Sequence, residues 1–430
     1  MLVTTHFVLP VLLVAASLAP LPNRSLEPIP LIISVPGRNN DAVSIASAAN
    51  FVAVSWGASL AGAQDVFVAT SRNSGATFSA PVRVNATIAD ARVGGEQPPH
   101  VVLVPRAGKE PVIVVVWTAK RPEGGRLLTA RSDDGGATFG ATTVIPGADA
   151  AGDRGWESVT VDATGKVYVM WLDHRGLVAP VQHQPIQHQM SGAARGQAMP
   201  KPDPVEQAAR SQLYIVSLDG STAPCAISNG VCYCCKTSVT TAADGSVYGV
   251  WRHVFAGDLR DIAFTSSHDK GRTFSTPLRV SEDHWEYDGC PDNGPSLAVD
   301  ATNRVHVAWP SPADVKDARS MGLWYAMSSN GRTFSPRVRI PTDANAGHLQ
   351  ILAERDGSVV VTWEEIAGPV RTLKVARGTP DASGRIAFRI VGSPTAGKYP
   401  ALAMTPTGAL MAYTVQQNGS SVIAVSRVAR

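Results

Sequence analysis

The sequence predicts an all-β fold, a single β-propeller of four-stranded blades whose ring is closed by strands from both ends of the chain. Three observations carry the prediction. A short apolar motif ending in tryptophan recurs along the chain, and a glycine-containing turn motif follows most of its copies at a nearly constant distance. The composition, with 38 glycines and 31 prolines in 430 residues, is that of a turn-rich β protein.

The tryptophan motif reads V-A-V-S-W to Trp56, V-V-V-W to Trp117, V-Y-V-M-W to Trp171 and V-Y-G-V-W to Trp251. It returns as V-H-V-A-W to Trp309 and V-V-V-T-W to Trp363, and a last copy, L-M-A-Y, ends in Tyr413. Turns such as D-A-T-G-K, A-A-D-G-S and D-A-T-N-R precede most copies, so each unit contains a β-hairpin. The repeated tryptophans are assigned to the core.

The second motif is S-R-N-S-G-A-T-F at 71–78, S-D-D-G-G-A-T-F at 132–139, S-H-D-K-G-R-T-F at 267–274 and M-S-S-N-G-R-T-F at 327–334. In the fourth copy Met327 falls in the place of the first serine and Ser329 in the place of the aspartate. Tryptophan and box glycine are 19 residues apart from Trp56 to Gly75 and again from Trp117 to Gly136, 20 from Trp251 to Gly271 and 22 from Trp309 to Gly331. Glycine supplies a positive φ and Asp or Asn bonds back to turn amides. These stretches resemble the aspartate box, S-x-D-x-G-x-T-F/W, and the chain is similar to the Asp-box (BNR-repeat) β-propellers of the sialidase-like superfamily.

Units begin near Ala42, Gln97, Glu157, Lys236, Pro295 and His348. A seventh, from Tyr399 to Val428, has three strands, and the apolar run L-I-I-S-V at 31–35 supplies its fourth. Seven blades follow, and six, the number in sialidases, is the alternative. Closing the ring with both termini removes the exposed sheet edge. One domain thus covers residues 30–430. A loop insertion rich in Gln, His and Pro interrupts it at about 176–207, and S-L-D-G-S at 217–221 is a displaced box remnant.

Charged residues are 17% of the chain and the net charge is +3, which gives no footprint for nucleic acid. Residues 1–19 have the apolar length of a signal peptide, so a secreted or periplasmic, monomeric protein is expected. No later run is long enough to span a membrane.

The resemblance implies a geometry. The boxes lie on turns between the two outer strands, and the functional face is the opposite one. That face receives the insertion and the stretches 152–157, 172–175, 232–235, 252–260 and 283–290, with His348, Glu364 and Glu365 from the sixth unit. All five cysteines, Cys225, Cys232, Cys234, Cys235 and Cys290, fall between 225 and 290.

Three readings of that face stay open. The resemblance implies a sialidase site, in which arginines clamp a carboxylate and a tyrosine activated by a glutamate is the nucleophile. Arg252 and Arg260 with Arg154 or Arg175 would be the clamp, and Tyr287 with Glu286 or Glu157 the nucleophile pair. The R-I-P motif that opens sialidase domains is missing, so no residue is carried over by motif. A metal reading takes copper, or zinc with thiolates, as cofactor on Cys232, Cys234, Cys235, Cys290, His253 and His284, with His183, His188 and Met190 on the insertion. Disulfides compete with it in an exported protein, with Cys290 bridging to the 232–235 cluster. A binding reading takes Trp156, Glu157, Asp173, Trp285 and Asp288, with Trp324, as contacts for a sugar or an anionic ligand. The expectation is an exported propeller that binds a small ligand, glycan or metal on the face built by units three to five. A sialidase-like glycoside hydrolase and a purely structural or protein-interaction propeller are the alternatives.

Overall fold

The computed structural model describes residue 1 and residues 29–177, 203–287, 291–314, 317–368 and 370–429. Seven antiparallel sheets of four strands each form the ring. Blade one runs outward through Asn39–Ala48, Phe51–Leu60, Ala63–Ser71 and Val82–Arg83. Blades two to six begin with His100–Val104, Arg154–Val161, Ser238–Thr241, Ser296–Val299 and Asn345–Ala353. These first strands touch their counterparts in neighbouring blades all the way round and so line the axis. Blade seven runs outward through Lys398–Thr405, Gly408–Gln417 and Ser420–Arg427, and Leu31–Ile33 is its outermost strand, with Ile32 opposite Ala424. The closure expected from the N-terminal run is therefore present, and there are seven blades.

Each motif tryptophan lies on the second strand of its blade, and Trp56, Trp117, Trp171, Trp251, Trp309 and Trp363 are fully buried. Tyr413 occupies the same place in blade seven. A buried indole N–H needs an acceptor. Nε1 donates to Asn40 in the case of Trp56 (2.8 Å), to Asp173 from Trp171 (3.0 Å), to Asp283 from Trp309 (2.6 Å) and to Glu365 from Trp363 (3.0 Å).

The box turns join third to fourth strands. In the first three, the serine hydroxyls of Ser71, Ser132 and Ser267 accept from the amides of Gly75, Gly136 and Gly271 at 3.0, 2.9 and 2.9 Å. Asn73, Asp134 and Asp269 accept from the amides of Thr77, Thr138 and Thr273. These glycines have φ of +81°, +91° and +79°, a region that strains any other residue. The fourth copy corrects the expected alignment. Ser328, not Met327, accepts from Gly331 (3.0 Å), and Asn330, not Ser329, accepts from Thr333 (3.0 Å), so this turn is one residue shorter.

The insertion does not stay a loop to position 207. A helix, Pro204–Arg210, begins where Asp203 accepts from the Val205 amide, and Arg210 Nε ties it to the Gly176 carbonyl at 2.8 Å. His183, His188 and Met190 lie outside the described residues. No helix among the described residues is long and apolar enough to cross a membrane.

One feature repeats that no motif announced. The innermost strands of blades one, three, six and seven each carry a bulge at the same place, between Asp41 and Ser44, Gly155 and Ser158, Gly347 and Gln350, and Lys398 and Ala401. Each bulge holds a non-glycine residue at positive φ: Ala42 at 57°, and Trp156, His348 and Tyr399 at 51°. Such conformations cost of order 1–3 kcal/mol each and persist where the surroundings enforce them.

Candidate binding site at the channel mouth

Antiparallel blades place their first-to-second and third-to-fourth turns at one end of the ring, with the boxes. The entries to the innermost strands lie at the other end, and there side chains from four blades meet around a cavity of about 200 Å³ on the axis. Glu96 and Lys236 precede the innermost strands of blades two and four, and His348 and Tyr399 sit on the bulges of blades six and seven. Lys236 Nζ lies 3.6 Å from Glu96 Oε1, and His348 Nε2 lies 3.9 Å from the same oxygen. On its other side His348 Nδ1 is 3.2 Å from Glu364 Oε1, and Arg371 holds the second Glu364 oxygen at 2.7 Å. The Tyr399 ring lies against the imidazole, with centroids 4.7 Å apart.

The backbone is shaped to admit this cluster. A Cβ on Gly95 would stand 2.0 Å from the Tyr399 ring, one on Gly294 2.2 Å from the Lys236 carbonyl, and one on Gly347 2.6 Å from the Asn293 amide. The Gly294 amide donates to Glu96 Oε2 at 3.1 Å, while Glu96 Oε1 is buried with no hydrogen-bond donor. Burial pulls His348 toward its neutral form, but Glu364 and Glu96 outweigh it and its pKa is raised. Burial alone would raise Glu364, but His348, the Tyr399 amide and Arg371 hold it down. Tyr399 is pushed up to about 12, chiefly by burial and then by Glu364, so it stays a phenol and a donor. The mouth thus presents an imidazole whose protonated form its neighbours favour, the Lys236 ammonium group, which also donates to the Leu349 carbonyl at 2.9 Å, a phenol and a carboxylate oxygen without a hydrogen-bond donor.

In blade three Glu157 lies within the bulge, behind the residues that line the cavity. Its side chain is fully buried, Oε2 accepts from the Thr118 hydroxyl at 3.1 Å, and Oε1 has no partner. Burial pushes its pKa up to about 7, and the opposing bonds and charges recover only part of that. Trp156, half-buried, stacks obliquely on His174 at 5.5 Å and covers the cysteine cluster.

The arginines singled out in the sequence have protein partners. Arg252 is buried and donates to the carbonyls of Asn293, Arg260 and Pro310, with its guanidinium 4.6 Å from the Trp285 ring. Arg154 pairs with Asp173 (2.9 Å) and bonds the carbonyls of residues 150–152, and Arg175 pairs with Asp173 (2.7 Å) and the Gly147 carbonyl. Asp173 is therefore an internal ion-pair partner, buried beneath two guanidiniums. Arg260 reaches Cys232 Sγ at 3.3 Å and Asp258 at 3.1 Å. Trp285 is buried, Tyr287 lies against it at 5.2 Å, and Glu286 is exposed. Trp324 lies under the guanidinium of Arg337, at 4.0 Å. Asp288 and Cys290 lie outside the described residues.

Among the described residues, the sulfurs of Cys232, Cys234 and Cys235 lie within 4.8 Å of one another, and no histidine or carboxylate joins them. His253 instead accepts from Trp251 Nε1 at 3.3 Å and packs edge-on against Phe255, and the exposed His284 lies 3.7 Å from Glu282. Cys234 is disulfide-bonded, while Cys225, Cys232 and Cys235 are free. The hydrogen bond from Cys235, with Arg260 and Arg252 nearby, lowers the Cys232 thiol, whereas burial and the Cys232 sulfur raise Cys235. Among the described residues these three sulfurs form the one group placed closely enough to share a metal ion, and with Cys234 in a disulfide two of them remain thiols.

Sequence reasoning noted His348 and Glu364 only as the sixth unit's contribution and missed Glu96, Lys236 and Tyr399. For Glu96 and Tyr399 the available signal was a glycine one or two residues ahead, as in Gly95-Glu96 and Gly397-Lys398-Tyr399, a pattern shared by Gly155-Trp156 and Gly347-His348, whereas Lys236 follows Cys234-Cys235 and carried none.

No family model matches the chain, and no curated protein matches it. Solved structures do. A PL25 ulvan lyase bound to -[GlcA(1-4)Rha3S]- is 11% identical over 94% of each chain, with a TM-score of 0.53. A GH93 α-L-arabinofuranosidase of Fusarium graminearum with arabinobiose is 11% identical over 94% of this chain and 98% of its own, with a TM-score of 0.49. The intramolecular trans-sialidase from Ruminococcus gnavus is 10% identical over 79% of this chain and 94% of its own, with a TM-score of 0.46. At such identities the likeness shows the propeller fold alone.

Proposed function

We propose that this protein is an Asp-box propeller of the sialidase-like superfamily that binds a polyhydroxylated ligand, a glycan, at the channel mouth. One observation carries the reading: Glu96, Lys236, His348 and Tyr399 converge from four blades on one cavity, and a buried Glu96 oxygen there lacks a donor. Its nearest cations, Lys236 and His348, stand 3.6 and 3.9 Å away, beyond hydrogen-bond reach, and a buried acceptor without a donor costs about 1–3 kcal/mol. A sugar hydroxyl meets that need, because it donates to a carboxylate while accepting from an imidazole N–H or an ammonium group. The solved neighbours are named for cleaving glycans, which is compatible with this ligand class. The site moves from units three to five to the axis, where units two, four, six and seven meet. A three-arginine clamp of the sialidase kind gains no support from guanidiniums already bonded to carbonyls and Asp173.

Calorimetric titration of the protein with neutral, uronic and sialylated oligosaccharides tests the reading. At least one class binds, and Glu96→Gln or His348→Gln weakens it roughly ten- to a hundredfold, the worth of one charge-assisted hydrogen bond. Absence of any binding, or affinity unchanged in both variants, sinks the proposal.

A further inference from the structure

We propose that Cys232 and Cys235 are a peroxide-reactive dithiol, with Cys232 the attacking sulfur and Cys235 the resolving one. The two residues are spaced C-x-x-C, both thiols are free, and their sulfurs stand 3.8 Å apart. Neither belongs to a strand. Residues 233–235 form a turn in the connection between blades three and four, so the sulfurs can close to a bond length of about 2.05 Å without breaking sheet pairing.

The surroundings give the two sulfurs different roles. Arg260 Nη1 donates to Cys232 at 3.3 Å, a contact that stabilises a thiolate. Cys235, apart from its contact with Cys232, receives a long backbone contact, 3.5 Å from the Asn293 amide. The third sulfur, 4.0 Å from Cys232, is that of Cys234 and is already in a disulfide, so it does not compete as a thiol. The guanidinium also argues against a metal ion, since a cation on Cys232 would face a fixed positive charge. Both thiols are 1% exposed, which bars a bulky disulfide and restricts any oxidant that reaches them to one as small as a peroxide.

The steps balance. The Cys232 thiolate attacks one peroxide oxygen, the O–O bond breaks, and hydroxide leaves to take a proton and become water. The Cys235 sulfur then attacks the sulfenic sulfur, an S–S bond forms as the S–O bond breaks, and the departing hydroxide leaves as water with the Cys235 proton. Two thiols are oxidised by two electrons and one peroxide is reduced to two waters.

The test treats the full-length protein with one equivalent of hydrogen peroxide, followed by thiol counting under denaturing conditions and peptide mass mapping. The thiols of Cys232 and Cys235 are lost together, their peptide is lighter by two hydrogens, and Cys225 stays free. Cys235→Ser leaves a sulfenic acid on Cys232 that dimedone captures, and Arg260→Gln slows thiol loss severalfold without changing its stoichiometry. Oxidation of Cys225 before the pair, persistence of both thiols, or stoichiometric copper or zinc on these sulfurs in the purified protein overturns the proposal. Mapping of the unsubstituted protein decides it even where a variant fails to fold.

Discussion

Replacing Glu157 with glutamine tests the electrostatics beneath the mouth. Glu157 is fully buried, and burial lifts its pKa from an ordinary 4.5 to about 7. Between those values the folded protein keeps a proton that the unfolded chain has released. Proton binding therefore favours the folded state at low pH, and this advantage is lost as pH rises through 7. For one such group the loss between pH 5 and pH 8 is about 2.5 kcal/mol. Glutamine does not titrate, keeps an acceptor for the Thr118 hydroxyl and nearly preserves volume, so the variant escapes the loss. For a domain of about 400 residues, 2.5 kcal/mol is about 3 °C in thermal midpoint. Melting curves of both proteins across pH 5 to 8, taken as a difference, cancel every other titrating group. The variant should gain about 3 °C on the parent across that range. Parallel curves would mean that Glu157 is charged in the folded state at all these pH values, refuting the burial argument.

Two further substitutions separate scaffold from site. Arg252→Met removes the donors for the carbonyls of Asn293, Arg260 and Pro310, and should cost about 3 kcal/mol, measured as a lowered melting temperature. An unchanged midpoint would return Arg252 to the pool of ligand-binding residues. Gly95→Ala sets a methyl group where the Tyr399 ring now lies, so that ring must move. Glycan affinity should fall at least tenfold, about 1.4 kcal/mol, in titration calorimetry, and full affinity would remove Tyr399 from the site.

The fold was legible because its cause repeats. Each blade must bury a tryptophan or tyrosine against its neighbour and must turn tightly between its outer strands, so both needs recur in the sequence at a fixed spacing. Even the closing strand left a trace, an apolar run with no unit of its own at 31–35. The details that slipped are local. The fourth turn is one residue shorter because Ser328 and Asn330 make the same bonds in less chain, and spacing alone cannot distinguish that from a degenerate box. The helix at Pro204–Arg210 was obscured by the breaker-rich segment ahead of it.

The site was hidden for the opposite reason: nothing in it repeats. Its members are single residues from blades two, four, six and seven, each at least 50 positions from the next in sequence, and what unites them is the axis. The sequence drew attention instead to clustered arginines and cysteines, and clustering in sequence marks one loop, not a shared cavity. Arg252 and Arg260 illustrate the consequence, since both turn inward to bond the connections around them. The bulges are the bridge between the two levels. A repeated bulge in the innermost strand gives four of the seven blades one position where a side chain leaves the sheet register near the axis, and the same backbone carries Ala42, Trp156, His348 and Tyr399 in turn. A scaffold constraint that repeats, filled by residues that do not, is how a ring of equivalent blades comes to have an asymmetric mouth. In propellers of this kind, the residues at the entry to the innermost strands, several of them just behind a glycine, are therefore where a site search should begin, ahead of any conspicuous cluster.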